Sequence, residues 1–87
     1  MRKDWHDKAW EDYLYWQTQD KKTLQKINKL IRDIERVGGK GIGKAELLKG
    51  SLSGWSSAHI DEKNRLVYQI EDGVLRIASC RGHYKDK

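Results

Sequence analysis

The apolar residues of this chain change their period once, and that change restricts the fold more than any other feature. Between Trp10 and Ile34 they recur at helical spacing, and from Leu66 onward they alternate as on a half-buried strand. Residues 38–53, which separate the two regimes, are rich in Gly and Lys and have no period. Helices followed by strands, rather than alternating with them, specify an α+β fold.

Trp10, Tyr13 and Leu14 form a stripe that Tyr15 and Trp16 widen, with Glu11 and Asp12 on the wet side and Asp7 as the expected N-cap. Asp20 opens a second helix, whose apolar face is Leu24, Ile27, Leu30, Ile31 and Ile34 and which Gly38-Gly39 stop. The short connection at Gln19-Asp20 implies an antiparallel helical hairpin. A strand over residues 55–60 then turns around residues 61–64. At Asp72-Gly73 a two-residue hairpin loop pairs Ile70 with Leu75, Tyr68 with Ile77 and Arg65 with Cys80, the last strand running over 74–84. Residues 2–5 add a short first strand, which Asp4 weakens. The expectation is one domain over residues 1–87, with two N-terminal helices packed on an antiparallel sheet meander.

Charge narrows the partners. Lys and Arg number 18 against 13 Asp and Glu, a formal charge of +5, which favours a polyanion. Nucleic acid and an anionic membrane surface both have the right sign. No apolar run is long enough to span a membrane, and the basic start is followed by Asp4 and Asp7 rather than a signal-peptide core. The chain therefore reads as soluble and cytoplasmic. The lone cysteine, Cys80, excludes an internal disulfide and reads as a small buried side chain. His6, His59 and His83 lie far apart without paired ligand spacing, so neither a metal site nor a cofactor is expected.

Residues 38–44 satisfy G-x-x-x-x-G-K, but Ala45 stands where a hydroxyl should hold magnesium, and a helix rather than a strand precedes the loop. Nucleotide hydrolysis is therefore rejected. The segment reads as basic, with Lys40, Lys44 and Lys49 able to meet phosphates.

Metal-free RNA cleavage needs a base for the 2′-OH, an acid for the departing 5′ oxygen and a cation for the phosphoryl oxygens. Candidates are Glu46 after the Gly-rich loop, Arg65 opening a strand, and Arg81, His83 and Tyr84 near the end. A glutamate is ordinarily ionised at neutral pH, a histidine titrates near it, and an arginine keeps its charge and offers a planar fork. Taken singly none is specific, and spacing alone does not bring them together.

Five separated segments carry a resemblance. They are Trp10-Glu11-Asp12-Tyr13-Leu14-Tyr15-Trp16-Gln17, Gly43-Lys44-Ala45-Glu46-Leu47-Leu48-Lys49, Leu52-Ser53-Gly54-Trp55-Ser56 leading to Asp61-Glu62-Lys63-Asn64-Arg65-Leu66-Val67-Tyr68, and Cys80-Arg81-Gly82-His83-Tyr84. In this order they resemble the YoeB (Txe) family of the RelE toxin superfamily. The resemblance implies a microbial-ribonuclease fold and an endoribonuclease that cuts messenger RNA in the A site of the 70S ribosome, inhibiting translation and leaving a 2′,3′-cyclic phosphate. It implies Glu46 as general base, His83 as general acid, Arg65 as the arginine on the transition-state phosphate and Tyr84 as the tyrosine shaping the site. Lys49 matches a phosphate-contacting lysine, and Lys44 and Arg81 join it as RNA-binding residues. A YefM-like antitoxin is the implied neutralising partner. Exposed rings such as Tyr15 or Trp16 would serve a homodimer or, equally, complete the core.

The chain also departs from the family. Ala58 and His59 replace two usual arginines, Lys63 and Asn64 replace Glu and His, and Ser56 replaces a tryptophan. In the register set by Asp72-Gly73, His83 falls on the face opposite Arg65 unless the strand bulges or ends near Gly82. Two other readings remain: a basic nucleic-acid-binding module without catalysis, which has no need of Glu46, Arg65 and His83 together, and a structural adaptor, which predicts no salt-sensitive RNA binding. His59 is expected to take over part of the missing arginine's phosphate contact. His59→Ala should then slow single-turnover RNA cleavage, and an unchanged rate would make His59 a strand filler.

Overall fold

The computed structural model describes residues 1–38 and 45–82. In chain order the elements are β1 (Arg2–Trp5), α1 (Asp7–Gln19), α2 (Lys21–Val37), β2 (Glu46–Leu47), β3 (Ser56–His59), β4 (Arg65–Glu71) and β5 (Val74–Ser79), with a 3-10 turn over Gly50–Leu52. The strands form one sheet in the order β1-β5-β4-β3-β2. β2 to β5 are antiparallel to their neighbours, whereas β1 lies parallel to β5 with Trp5 beside Ile77. The fold is α+β as expected, and the short first strand makes the sheet mixed rather than a pure meander.

The helix boundaries follow from local chemistry. Asp20 caps α2, its carboxylate accepting from the backbone N–H groups of Lys22 and Thr23 and from the Thr23 hydroxyl at 2.8 Å. Those bonds, the Thr23 hydroxyl first, hold the Asp20 carboxyl below its ordinary range. Gly38 ends the helix in the left-handed conformation. Ile27, Ile31 and Ile34 face inward as the periodicity predicts, with Leu24 and Leu30 at the margin.

α1 presents a different face from the expected one. Its buried residues are Ala9, Asp12 and Trp16, while Trp10, Leu14 and Tyr15 reach the surface. The rotation has a polar cause. The Asp12 carboxylate accepts the backbone N–H of Cys80 at 3.0 Å and the Lys8 ammonium at 2.9 Å, and Trp16 Nε1 donates to the Cys80 carbonyl at 2.9 Å. Periodicity places Asp12 in water because it scores a carboxylate as polar, without reference to what the neighbouring strand offers. The N-cap is His6 rather than Asp7, and its side chain makes no capping hydrogen bond.

Asp72 and Gly73 both take positive φ, 53° and 74°, as a two-residue turn that continues strand twist requires. Ile70–Leu75 and Tyr68–Ile77 pair as predicted, but the expected Arg65–Cys80 pair does not form. Tyr68 opposes Ile77 while Val67 opposes Ser79, so Ala78 is an extra residue, a β-bulge. The one-residue shift places Cys80 in the core with Leu66, both 0 % exposed. β5 ends at Ser79 rather than continuing to 84. The two-residue β2 lies inside a segment read from sequence as loop, where neighbouring Gly and Lys hide it.

Burial, reinforced by the nearby Asp12 carboxylate, pushes the Cys80 thiol up to about 12. Asp12→Ala would leave the Cys80 N–H buried without an acceptor, at a cost of about 2 kcal/mol, or a melting point lower by on the order of 10 °C. Cys80 should resist alkylation at pH 8 in the native protein and react in that variant; equal inertness would show that the α1–β5 seam does not depend on Asp12.

Candidate active site

The face of the sheet turned away from the helices is set by alternation. Ala58, Ile60, Leu66, Tyr68, Leu75, Ile77 and Cys80 all belong to the core under α1 and α2. The intervening positions therefore project to the other side: Ser57 and His59 on β3, Arg65, Val67 and Gln69 on β4. Glu46 pairs with Ser57, Ser57 with Val67, Val67 with Ser79, and His59 with Arg65. Glu46, Arg65 and His59 thus share one face. Two strand spacings and one two-residue step separate the Glu46 and Arg65 backbones by on the order of 12 Å, a span that leaves room for a phosphodiester between the side chains.

This face is sunken rather than openly solvated. Ser57 is 0 % exposed, Val67 3 % and Arg65 7 %, while Glu46 and His59 stand exposed at its rim. The Ser57 hydroxyl has no hydrogen-bond partner among the described residues. It sits between Glu46 and Val67 in register, and nothing in its sequence context singles it out.

Arg65 is the centre of the arrangement. Its Nη1 donates to the carbonyl oxygens of Asp61, at 2.6 Å, and Asn64, at 3.1 Å. Among the described residues no carboxylate pairs with it. Two backbone carbonyls orient a guanidinium without neutralising it, so a nearly buried positive charge remains for an anion.

The turn beneath Arg65 is built by Asp61. Its carboxylate accepts the backbone N–H groups of Lys63, at 2.8 Å, and Asn64, at 2.7 Å, and the Asn64 amide. Asn64 Oδ1 in turn accepts the Gly82 N–H at 2.8 Å, and the Gly82 carbonyl accepts the Arg65 N–H at 3.0 Å. The final segment is thereby tied to the residue that carries the charge. Gly82 has φ of 82° and lies beyond the end of β5, outside a regular ladder. Simple alternation from the hairpin therefore does not extend to Gly82.

The other sequence candidates are placed as follows. Lys49 is exposed just before the 3-10 turn. Arg81 is exposed and stacks its guanidinium over the Tyr15 ring at 3.6 Å, so α1 shares its hold on it. Ala58, one of the two arginine replacements, is 2 % exposed on the helix side and takes no charge from this face. His83, Tyr84 and Lys44 lie outside the described residues, as does most of the Gly-rich loop. Among the described residues no three His, Cys, Asp or Glu side chains gather as a metal-binding group, and no helix is long and apolar enough to cross a membrane. A cleft of about 380 Å³ beside Trp5, Tyr13 and Asn28 belongs to the helix side and holds none of these groups.

Desolvation acts to raise the Asp61 carboxyl, but hydrogen bonds from the Asn64 side chain and from the Lys63 and Asn64 N–H groups outweigh it, leaving the group below its ordinary range. A depressed carboxyl stabilises the fold above its unfolded-state value, and this contribution fades as pH falls through the folded one. Asp61→Ala should therefore melt several degrees lower than the parent at pH 7, with the gap closing toward pH 2. A gap independent of pH would mean that the turn does not depend on the ionised carboxylate.

Comparison with known proteins agrees with this fold. Residues 5–84 match the family described as the YoeB-like toxin of bacterial type II toxin-antitoxin systems. The chain is 50 % identical over 84 residues to Toxin YoeB of Escherichia coli K12, covering 97 % of this chain and 100 % of that one. It is 48 % identical over 84 residues to Toxin YoeB of Streptomyces coelicolor, with the same coverage. Among solved structures, a YoeB/ParE toxin from Agrobacterium tumefaciens superposes with a TM-score of 0.90 at 38 % identity, over 97 % of this chain and 100 % of that one. The YoeB-YefM complex from Staphylococcus aureus gives 0.86 at 43 %, over 97 % and 98 %. The match spans nearly the whole chain, and the chain belongs to the YoeB family of toxins of bacterial type II toxin–antitoxin systems.

Proposed function

We propose that this toxin is an endoribonuclease that cuts messenger RNA in the ribosomal A site without a metal, acting in the bacterial cytoplasm as one domain over residues 1–87. The observation that carries the reading is the nearly buried Arg65, which has no carboxylate partner among the described residues and shares a sheet face with Glu46. A phosphodiester seated there supplies the missing counter-charge. Glu46, on the exposed edge strand, takes the proton from the 2′-OH, and the oxygen so freed attacks phosphorus. Arg65 stabilises the charge on the phosphoryl oxygens. His83 gives a proton to the departing 5′ oxygen, and Tyr84 is the tyrosine that shapes the site. The products are a 2′,3′-cyclic phosphate and a 5′-hydroxyl. Lys44, Lys49, His59 and Arg81 hold flanking phosphates. The ribosome provides the orientation of a flexible RNA that so small a surface cannot.

The neutralising partner is a YefM-like antitoxin, supported by the Staphylococcus aureus YoeB-YefM complex. A homodimer is supported by the YoeB dimer from the same organism. Trp10, Leu14 and Tyr15, which α1 leaves on the surface, are apolar groups available to such contacts.

The test maps fragment ends by primer extension on ribosomes programmed with a defined message. A ribosome-dependent cut inside the A-site codon is expected, lost when Glu46 and His83 are both alanine. Arg65→Lys keeps the charge but loses the fork, and should lower single-turnover cleavage by about 10²–10³-fold. Tight ribosome binding without any cut would instead make the protein a non-catalytic basic module.

A further inference from the structure

A second feature of the sunken face has no role in acid–base chemistry. His6 occupies the N-cap of α1, a position that Ser, Thr, Asp or Asn would ordinarily fill, and its ring makes no capping bond. Its backbone is fixed, with its N–H donating to the Ile77 carbonyl at 2.9 Å and its carbonyl accepting the Trp10 N–H at 2.9 Å. The imidazole instead meets the Trp55 indole edge to face, with centroids 5.4 Å apart and planes at 74°. Trp55 is held just as firmly: its N–H donates to Leu52 and its carbonyl accepts from Leu48.

The pair lies on the side of Glu46 and Arg65. Trp5 turns toward α1, where it packs on Tyr13 at 4.9 Å, so the next residue, His6, leaves on the other side. Ser56 pairs with the core residue Tyr68, so Trp55 likewise leaves on the Ser57 side. Neither ring belongs to the core cluster. His6 starts from the β1 edge and Trp55 from the β3 side, so their meeting carries the rings across the strands between. His6 is exposed and Trp55 half-buried, which leaves aromatic surface open beside the charged site.

We infer that His6 and Trp55 form a stacking platform for one base of the bound single-stranded RNA, a nucleobase adjoining the phosphate at Arg65. This rests on the nuclease reading for the phosphate but adds a subsite to it. Along the strands Trp55 stands two two-residue steps from Arg65, one beyond Glu46, an offset of about 13 Å in the sheet that the indole shortens by reaching toward His6. A chain with a +5 charge and, on the same face, a buried guanidinium that no described carboxylate pairs with favours a polyanion over an apolar peptide. Stacking tolerates every base and favours the larger purines, so the platform contributes affinity and a bias rather than a strict code.

The test uses a labelled RNA octamer carrying 2′-O-methyl groups throughout, which cannot be cut through a 2′-OH, and a set in which each base in turn is removed. Binding is read by fluorescence anisotropy at low salt. In the parent, removal of one base should weaken binding roughly five- to a hundredfold. In a His6→Ala, Trp55→Leu double variant, checked for folding by its melting curve, the same removal should cost less than twofold. His6→Phe and Trp55→Phe should retain most of the discrimination, because they keep a ring. Indifference of the parent to every base removal, no measurable octamer binding, or unchanged discrimination in the double variant overturns the platform. Ribosome cleavage by the parent, run in parallel, separates the two ideas: cutting without base-sensitive binding removes only the platform, and base-sensitive binding without cutting removes only the nuclease.

Discussion

Both backbone polar groups of Cys80 are buried and both are satisfied by side chains of α1, the N–H by Asp12 and the carbonyl by Trp16. Most of the molecule is arranged around that bracket. A strand that has just ended cannot leave its last amide in an apolar layer without a partner, and a helix cannot bury a carboxylate without a donor. Each supplies what the other lacks, and Lys8 completes the carboxylate. The bracket decides which side of α1 faces inward and holds Cys80 beneath it. It also starts the final segment at a defined place, from which Gly82 reaches the Asn64 side chain and the Arg65 amide. Packing of the helical layer and geometry of the opposite sheet face therefore meet in one residue's backbone.

Much of this was legible in the sequence where a single local rule decides. The cap at Asp20, the stop at Gly38, the inward stripe of Ile27, Ile31 and Ile34, and the turn at Asp72-Gly73 each depend on neighbours only a few residues away. The strand over residues 2–5 was legible too, but its parallel pairing with β5 was not, because direction depends on where α1 returns the chain. Apart from the α1 N-cap, at His6 rather than Asp7, the readings that failed are long-range. Asp12 is buried by a residue 68 positions away, and β2 exists only because β3 is there to pair with it.

The candidate site shows the same division. Residue types and resemblance picked out Glu46, Arg65 and His59, and the register sets all three on one face. What sequence does not convey is how Arg65 is held: backbone carbonyls of the Asp61 turn accept from its guanidinium and leave its charge unmatched by the described carboxylates. Nor does it distinguish the two departures from the usual arginines. Ala58 is a core residue, suited by size to the space beneath the helices, whereas His59 is the replacement that alters the charged face. Substitutions adjacent in sequence thus belong to different physical problems.

The extra residue at Ala78 gives the end of the hairpin a parity. Up to Ile77 the hairpin counts in twos from its turn; after Ser79 it counts from a new origin, and that origin sends Cys80 inward with Leu66. Composition fixes what is buried at each inward position, as Ile77 and Cys80 are. Length fixes which positions are inward. Loss or gain of one residue between the turn and Ser79 would exchange inner for outer positions through the rest of the strand while leaving nearly every amino acid unchanged. In this short stretch the chain is constrained like a ruler as well as like a surface, by the number of residues between the turn and Ser79.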